Sequence, residues 1–246
     1  MLQKKYNNSL VVDFTTREGG ISPIPFNSLN LAFHVNDQDS NVLQNHIIVA
    51  NKHSYSYKKL VYMQQIHSDK VYIVTKKDSF FTPPTADALI TNCKNIPLMV
   101  MVADCTPVLF YDPKQEVIAV AHVGRAGAFK NIIKNVLDYF IQVYGSQKKD
   151  IIVESGASIC QNCYEVSATI FQEAQTLQLD YALKKKQNSF YLDIKAIITQ
   201  QLLNENIKEE NIKISKECSR CQDEKYFSYR ASAKTGRFAG IIMLKE

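Results

Sequence analysis

Apolar and polar positions along the chain sort into short blocks rather than one long period. Residues 11–16 form an apolar-rich run that predicts a strand, and Arg17-Glu18-Gly19-Gly20-Ile21-Ser22-Pro23 follows as a loop, since two glycines and a proline forbid regular continuation. Val42, Leu43, Ile47 and Ala50 recur at helical spacing behind Ser40, which predicts a helix capped by that serine, with His34, His46 and His53 in or beside it. Residues 60–67 and 70–75 are β-rich runs split by Ser68-Asp69, with His67 ending the first. Residues 86–91 and 97–103 are further strands, the second apolar on both faces as a central strand is. Two apolar runs, 107–111 and 116–121, flank Asp112-Pro113-Lys114-Gln115. Proline fixes φ and aspartate bonds its own backbone, so this block predicts a hairpin.

Beyond the hairpin, Gly124-Arg125-Ala126-Gly127 breaks the strand, and Phe129, Ile132, Ile133, Val136, Leu137, Phe140 and Ile141 predict one helix over 128–143. Residues 151–154 and 212–215 predict strands, 166–177 and 193–204 helices, and 226–230 with 236–244 two closing strands. No repeat, low-complexity tract or linker divides the chain, so residues 1–246 are expected to form a single domain. Helices alternating with antiparallel hairpins predict an α+β fold.

Composition narrows the function. Of 246 residues, 46% are hydrophobic and 22% charged, which is ordinary for a globular protein with a substantial core. The net charge of +5 is spread over many lysines, and the densest runs, Lys148-Lys149 and Lys184-Lys185-Lys186, lack interleaved aromatics. They are read as solvated surface, with no nucleic-acid partner. No apolar stretch is long enough to cross a bilayer, and the lysine-bearing N-terminus leads into too short an apolar run for a signal peptide. A cytoplasmic location and no membrane partner are expected, and six cysteines in a reducing compartment point to ligands, a nucleophile or core residues rather than disulfides.

The hairpin returns the chain to its starting edge and would place Cys105 beside His122. A thiolate and an imidazole suit either a zinc site or a Cys-His nucleophile. His67 also ends a predicted strand, and with it the three donors would leave a tetrahedral zinc one open position. Two histidines and a cysteine fit copper as well, but only five histidines are present, too few for the several centres of a multicopper oxidase, so zinc is preferred. Cys160-x-x-Cys163 and Cys218-x-x-Cys221 are two further pairs, too far apart for a common zinc ribbon; isolated thiols are expected, a shared structural zinc being the alternative. Arg17, Arg230 and Arg237 stand in loops or at strand ends, where planar guanidinium forks could hold phosphate.

Taken in order, Phe14-Thr15-Thr16-Arg17-Glu18-Gly19-Gly20-Ile21-Ser22, Ser28-Leu29-Asn30-Leu31-Ala32, Gln65-Ile66-His67-Ser68, Ala86-Asp87-Ala88, Ala103-Asp104-Cys105-Thr106-Pro107, Ala121-His122-Val123-Gly124, Tyr164-Glu165-Val166, Phe227-Ser228-Tyr229-Arg230 and Thr235-Gly236-Arg237 resemble the YfiH-like laccase-domain family, once called polyphenol oxidases. The resemblance implies two mixed β-sheets packed together with helices on the outer faces, in α/β/β/α layers, similar to cysteine-dependent toxin deamidases. It implies zinc held by His67, Cys105 and His122, with phosphorolysis of adenosine, inosine, guanosine and methylthioadenosine and deamination of adenosine. Phosphate or ribose contacts are then assigned to Arg17, Asn30, Arg125, Arg230 and Arg237, and proton transfer to Asp104, beside the catalytic Cys105 and His122. Purine nucleosides and phosphate are the expected partners, and the protomer a monomer or homodimer. Alternatives are a Cys-His hydrolase or amidase, a peptidoglycan-editing factor acting by binding, and a copper polyphenol oxidase. One departure from the family pattern is Gly124-Arg125-Ala126-Gly127, where an aromatic followed by arginine is usual.

Overall fold

The computed structural model describes Leu2, Tyr6 and residues 8–246. The lysines of the N-terminal stretch, Lys4 and Lys5, lie outside the described residues. In chain order the strands are β1 (Leu10–Phe14), β2 (Val71–Ile73), β3 (Ala88–Thr91), β4 (Leu98–Val102), β5 (Thr106–Asp112), β6 (Val117–Val123), β7 (Ile152–Ser155), β8 (Glu165–Val166), β9 (Leu183–Lys186), β10 (Ser189–Leu192), β11 (Ile212–Lys213) and β12 (Phe238–Leu244). The helices are α1 (Asp39–Lys52), α2 (Arg125–Phe129), α3 (Ile132–Tyr144), α4 (Ala168–Thr176) and α5 (Ile194–Asn204).

The predicted hairpin, β5 and β6, lies in the middle of a mixed six-stranded sheet of order β11-β7-β5-β6-β3-β2. Both strands are buried on both faces, because each face meets a different core. Val108, Phe110, Ala119 and Ala121 point to one core, shared with Ile133, Val136, Leu137 and Phe140 of α3 and Ile197, Ile198 and Leu202 of α5. Leu109, Tyr111, Ile118 and Val120 point to the other, shared with Val12, Leu98, Val100 and Ile242 of a second sheet, β1-β12-β4. Alternation along a strand sends successive side chains to opposite faces, so seven residues a side serve two layers. The outer face of the second sheet, through Met99, Met101, Ala239 and Ile241, is covered by α1 residue Val49 with Leu29 and Leu31. The result is the expected α/β/β/α order.

The second sheet is antiparallel throughout, and β8-β10-β9 make a small third sheet at the periphery. The β9 strand contains the exposed Lys184-Lys185-Lys186, whose charge hid its pairing with β10 in the sequence. Other expectations are corrected. Residues 60–67 make only isolated bridges, Val61 to Leu98 and Gln64 to Thr85, because the backbone N–H groups of residues 66–68 are turned onto the Asp87 carboxylate. Residues 226–230 form no strand; the N–H of Tyr226 donates to the Gln222 carbonyl in a turn and that of Arg230 to the Asp104 carboxylate. The predicted helix over 128–143 is two helices, since Asn131 takes a left-handed conformation (φ 57°) and its side chain accepts from Lys134 N to cap α3. Ser40 lies inside α1, whose cap position is Gln38.

Under α1, His46 is fully buried, stacked on Phe33 and edge-on to Phe80, and its Nε2 donates to the Leu31 carbonyl at 2.9 Å. Burial disfavours the charged ring more than the carbonyl favours it, and the pKa falls from 6.5 to about 4. The unfolded chain therefore binds a proton in this window while the folded one does not, so stability is full above pH 6.5 and declines as pH falls toward 4. A tenfold change in proton affinity is worth ~1.4 kcal/mol, which makes the loss across that window about 3 kcal/mol. Denaturant melts of wild type and His46→Gln should diverge by this amount between the two ends, with the variant showing the shallower acid limb.

Candidate functional site

Sheet register builds the site. Pro107 pairs with His122 and Thr106 with Val123, so one step further Cys105 comes opposite Gly124. On the other side of β6, Ala88 pairs with Ala121, and one step further Asp87 comes opposite His122, whose N–H donates to the Asp87 carbonyl at 2.8 Å. His122 is thus flanked by a thiol and a carboxylate at one end of three adjacent strands. Its Nδ1 donates to Asp87 Oδ1 at 2.8 Å, which turns Nε2 toward the cysteine side.

The same carboxylate presents His67. Asp87 accepts from the N–H groups of Ile66, His67 and Ser68 at 3.2, 3.0 and 2.7 Å, and from Ser68 Oγ at 2.7 Å. This wraps the chain into a tight bend in which His67 takes a left-handed conformation (φ 58°) and its ring meets that of His122 edge-on, centroids 4.8 Å apart. Donor atoms of His67, Cys105 and His122 all lie within 4.8 Å of one another. Room for them comes from Gly124, where an added Cβ would sit 2.8 Å from Cys105 Sγ and 3.4 Å from the His67 ring.

Electrostatics follow from these contacts. Burial opposes ionisation of Cys105, but the adjacent His122 and His67 more than offset it and pull the thiol down to about 6. Burial likewise opposes a charged His122, yet Cys105 and Asp87 raise it to about 9. Burial would raise Asp87, but the bonds from His122 and Ser68 hold it at about 2. At neutral pH the chain therefore carries a ready thiolate. Two imidazole nitrogens, one thiolate sulfur and a carboxylate fixing the outer nitrogen of one imidazole are a donor set that fits zinc, and three ligands leave a coordination position free.

These residues lie in a cleft of about 360 Å³, within the range of small-molecule sites. Its walls include His34, Gln65, Asp104, Tyr164, Tyr229, Arg230 and Arg237. Arg230 lies over the Tyr164 ring and donates to the Glu165 carbonyl; Arg237 Nη1 donates to the carbonyls of Thr235 and Gly236. Asp104, in a left-handed conformation (φ 86°), accepts from Ser219 Oγ at 2.7 Å and from the N–H of Arg230 at 2.6 Å. Other expected anion-binding residues stand apart. Arg17 lies against Phe227 and donates to Asn27 and the Asp223 carbonyl, and Asn30 is buried, tying Ala32, Asp37 and the N–H of Arg237 together. Arg125 pairs with Glu173 at 3.2 Å on α4.

Local sequence pattern gives no role to Asp87, Gln65, His34, Tyr164 or Tyr229. The Ala86-Asp87-Ala88 and Gln65-Ile66-His67 stretches were visible as motifs, but the joint use of Asp87 by two distant histidines depends on sheet register. The four cysteines expected as isolated thiols are instead gathered, all four Sγ atoms within 4.8 Å of one another.

Comparison with known proteins agrees with this architecture. The chain is 32% identical to purine nucleoside phosphorylase YlmD of Bacillus subtilis, over 98% of this chain and 90% of the relative. It is 34% identical to a purine nucleoside phosphorylase of Corynebacterium glutamicum, over 95% and 94% of the two chains. Among solved structures, the hypothetical protein YfiH of Bacillus licheniformis superposes with a TM-score of 0.94 at 31% identity, covering 98% of this chain and 95% of that one. YlmD of Geobacillus stearothermophilus does so at 0.90 and 27%, covering 97% and 93%. Residues 11–245 match the family model described as multi-copper polyphenol oxidoreductase laccase, and the chain belongs to that YfiH-type laccase family.

Proposed function

We propose that this chain is a zinc-dependent purine nucleoside phosphorylase, acting on adenosine, inosine, guanosine and methylthioadenosine, with adenosine deamination at the same site. The observation that carries the reading is the convergence of His67, Cys105 and His122 at the floor of a cleft whose wall bears two arginines and two tyrosines. The names of the curated relatives point the same way. Zinc suits this chain better than the several coppers of an oxidase, because His46 is sealed in the core and His53 is held by Asp13, which leaves His34 as the one histidine beyond the cluster.

His67, Cys105 and His122 would hold the ion, which supplies a Lewis acid with an open position. Phosphorolysis develops positive charge on the ribose and negative charge on the departing base, so positioning and electrostatics carry most of the work. Arg230 and Arg237 are assigned to phosphate, and Tyr164 and Tyr229 to the faces of the nucleoside. Asp104, expected to carry a proton, is assigned a positioning role, since both its carboxylate oxygens are engaged in fixing Ser219 and the Arg230 backbone. Arg125 is assigned to the rim, where it stands within electrostatic reach of Tyr164.

A second reading rests on the Cys105, His122, Asp87 series, in which a thiolate, a base and an orienting carboxylate follow one another as in a Cys-His hydrolase. Iodoacetamide separates the two. Zinc-loaded protein should protect Cys105 from alkylation, whereas unhindered labelling of fully loaded protein would favour the hydrolase.

Incubating metal-analysed protein with adenosine or inosine should release free base only when phosphate is present; no conversion of either, by chromatography, would defeat the reading. Asp87→Asn should weaken zinc binding about 10–100-fold in a competitive chelator titration, because it disturbs the carboxylate that orients His122 and shapes the His67 bend. Gly124→Ala should also lower zinc affinity, its methyl group displacing the Cys105 sulfur, while leaving the far-ultraviolet circular dichroism unchanged.

A further inference from the structure

Cys160, Cys163, Cys218 and Cys221 have no part in the chemistry above, yet two loops from distant parts of the chain bring them to one point. Each pair sits on a tight turn. Cys163 N–H donates to the Cys160 carbonyl at 3.0 Å, and Gln222 N–H to the Cys218 carbonyl at 3.1 Å. A Cys-x-x-Cys turn directs both sulfurs to one side, which is why this spacing recurs in zinc sites. Here the two turns face each other. All four Sγ atoms lie within 4.8 Å of one another, and Cys163 Sγ is 3.3 Å from Cys221 Sγ. Four sulfurs at about 2.3 Å from a tetrahedral ion are separated by roughly 3.8 Å, a spacing these distances bracket.

Further contacts favour charged sulfur at Cys218. Cys218, the buried member, accepts from the backbone N–H groups of Cys160 at 3.2 Å and Cys221 at 3.4 Å. Such bonds stabilise a thiolate rather than a thiol. Lys195 donates to the Glu217 carbonyl at 2.6 Å and lies within electrostatic reach of Cys160 and Cys218. Four thiolates around a divalent ion carry two surplus negative charges, which a nearby ammonium partly offsets.

We propose that these four cysteines form a second, structural site for a thiophilic divalent metal, zinc above all, closed by four protein ligands and without an open position. Binding replaces four S–H protons, released to solvent, with four metal–sulfur bonds, and no oxidant or reductant takes part. The ion joins the loop after β7 to the segment before β12. From the first loop Ile159 and Tyr164 line the cleft, and from the second Tyr229 and Arg230 do. Asp104 touches both: its carbonyl accepts from Ile159 N–H, and its carboxylate accepts from Ser219 and Arg230. The metal therefore clamps one wall of the cleft from behind. This site stands independently of the catalytic reading.

The test removes the other cluster. Protein carrying His67→Ala with Cys105→Ala, purified under reducing conditions with zinc, should retain one zinc per chain by elemental analysis. Replacing zinc with cobalt should give intense thiolate-to-cobalt charge-transfer bands and tetrahedral ligand-field bands. Adding Cys163→Ser with Cys221→Ser should abolish both the retained zinc and the spectrum. If the variant does not fold, the cobalt spectrum of the parent decides alone, since its strength reports the number of thiolates. Metal-free protein with four freely titratable thiols at these positions would overturn the proposal. So would loss of thiols in pairs without metal, which would reveal disulfides.

Discussion

A single buried carboxylate organises the centre of this protein. Asp87 is fully buried and accepts from three successive backbone N–H groups, one hydroxyl and one imidazole. A buried charge is costly unless its lone pairs are satisfied, and here five donors meet it. The same contacts that make the charge tolerable bend the chain at His67 and orient the ring of His122. Stability and site geometry are therefore one arrangement: removing the carboxylate would leave a cluster of N–H groups unsatisfied and two histidines undirected.

Around that centre the cleft has two kinds of wall. Its floor stands on β5, β6 and β3, whose neighbours on both faces are apolar and fully packed. Its rim comes from loops that carry Tyr164, Tyr229 and Arg230; the N–H of Arg230 donates to Asp104, which Ser219 also engages, and the N–H of Tyr164 donates to the Cys160 carbonyl. A rigid floor with adjustable loops is a common division of labour in enzymes, since donor geometry tolerates little error while substrate contacts can vary.

Much of this was legible in the residues. The hairpin could be read because Asp112-Pro113 separates two apolar runs, and its closure alone puts Cys105 near His122. His67 is expected at the end of a strand, but the β-rich run that carries it is not one; side-chain acceptance by Asp87, invisible to local patterning, overrides its propensity. The split of one expected helix at Asn131 follows from a left-handed residue that apolar spacing cannot reveal. Arg17 stands in a loop where its planar fork could hold phosphate, and Asn30 is assigned to phosphate or ribose by the family resemblance. In the fold, the polar groups of both serve to fasten their loops to each other and to the segment around Arg237. The proximity of the two cysteine pairs was hidden by the length of chain between them, which sheet topology closes.

The central hairpin also has a bearing on how the molecule matures. Its odd and even side chains are apportioned between two cores, so sliding β6 past β5 by one residue would send Ala119 and Val120 to the wrong layers and part Cys105 from His122 together. A mispaired chain cannot bury both layers and still bring the three donor side chains together. Correct pairing and site geometry thus need no separate device, and the triad of donor side chains comes into being at the moment the two interiors close.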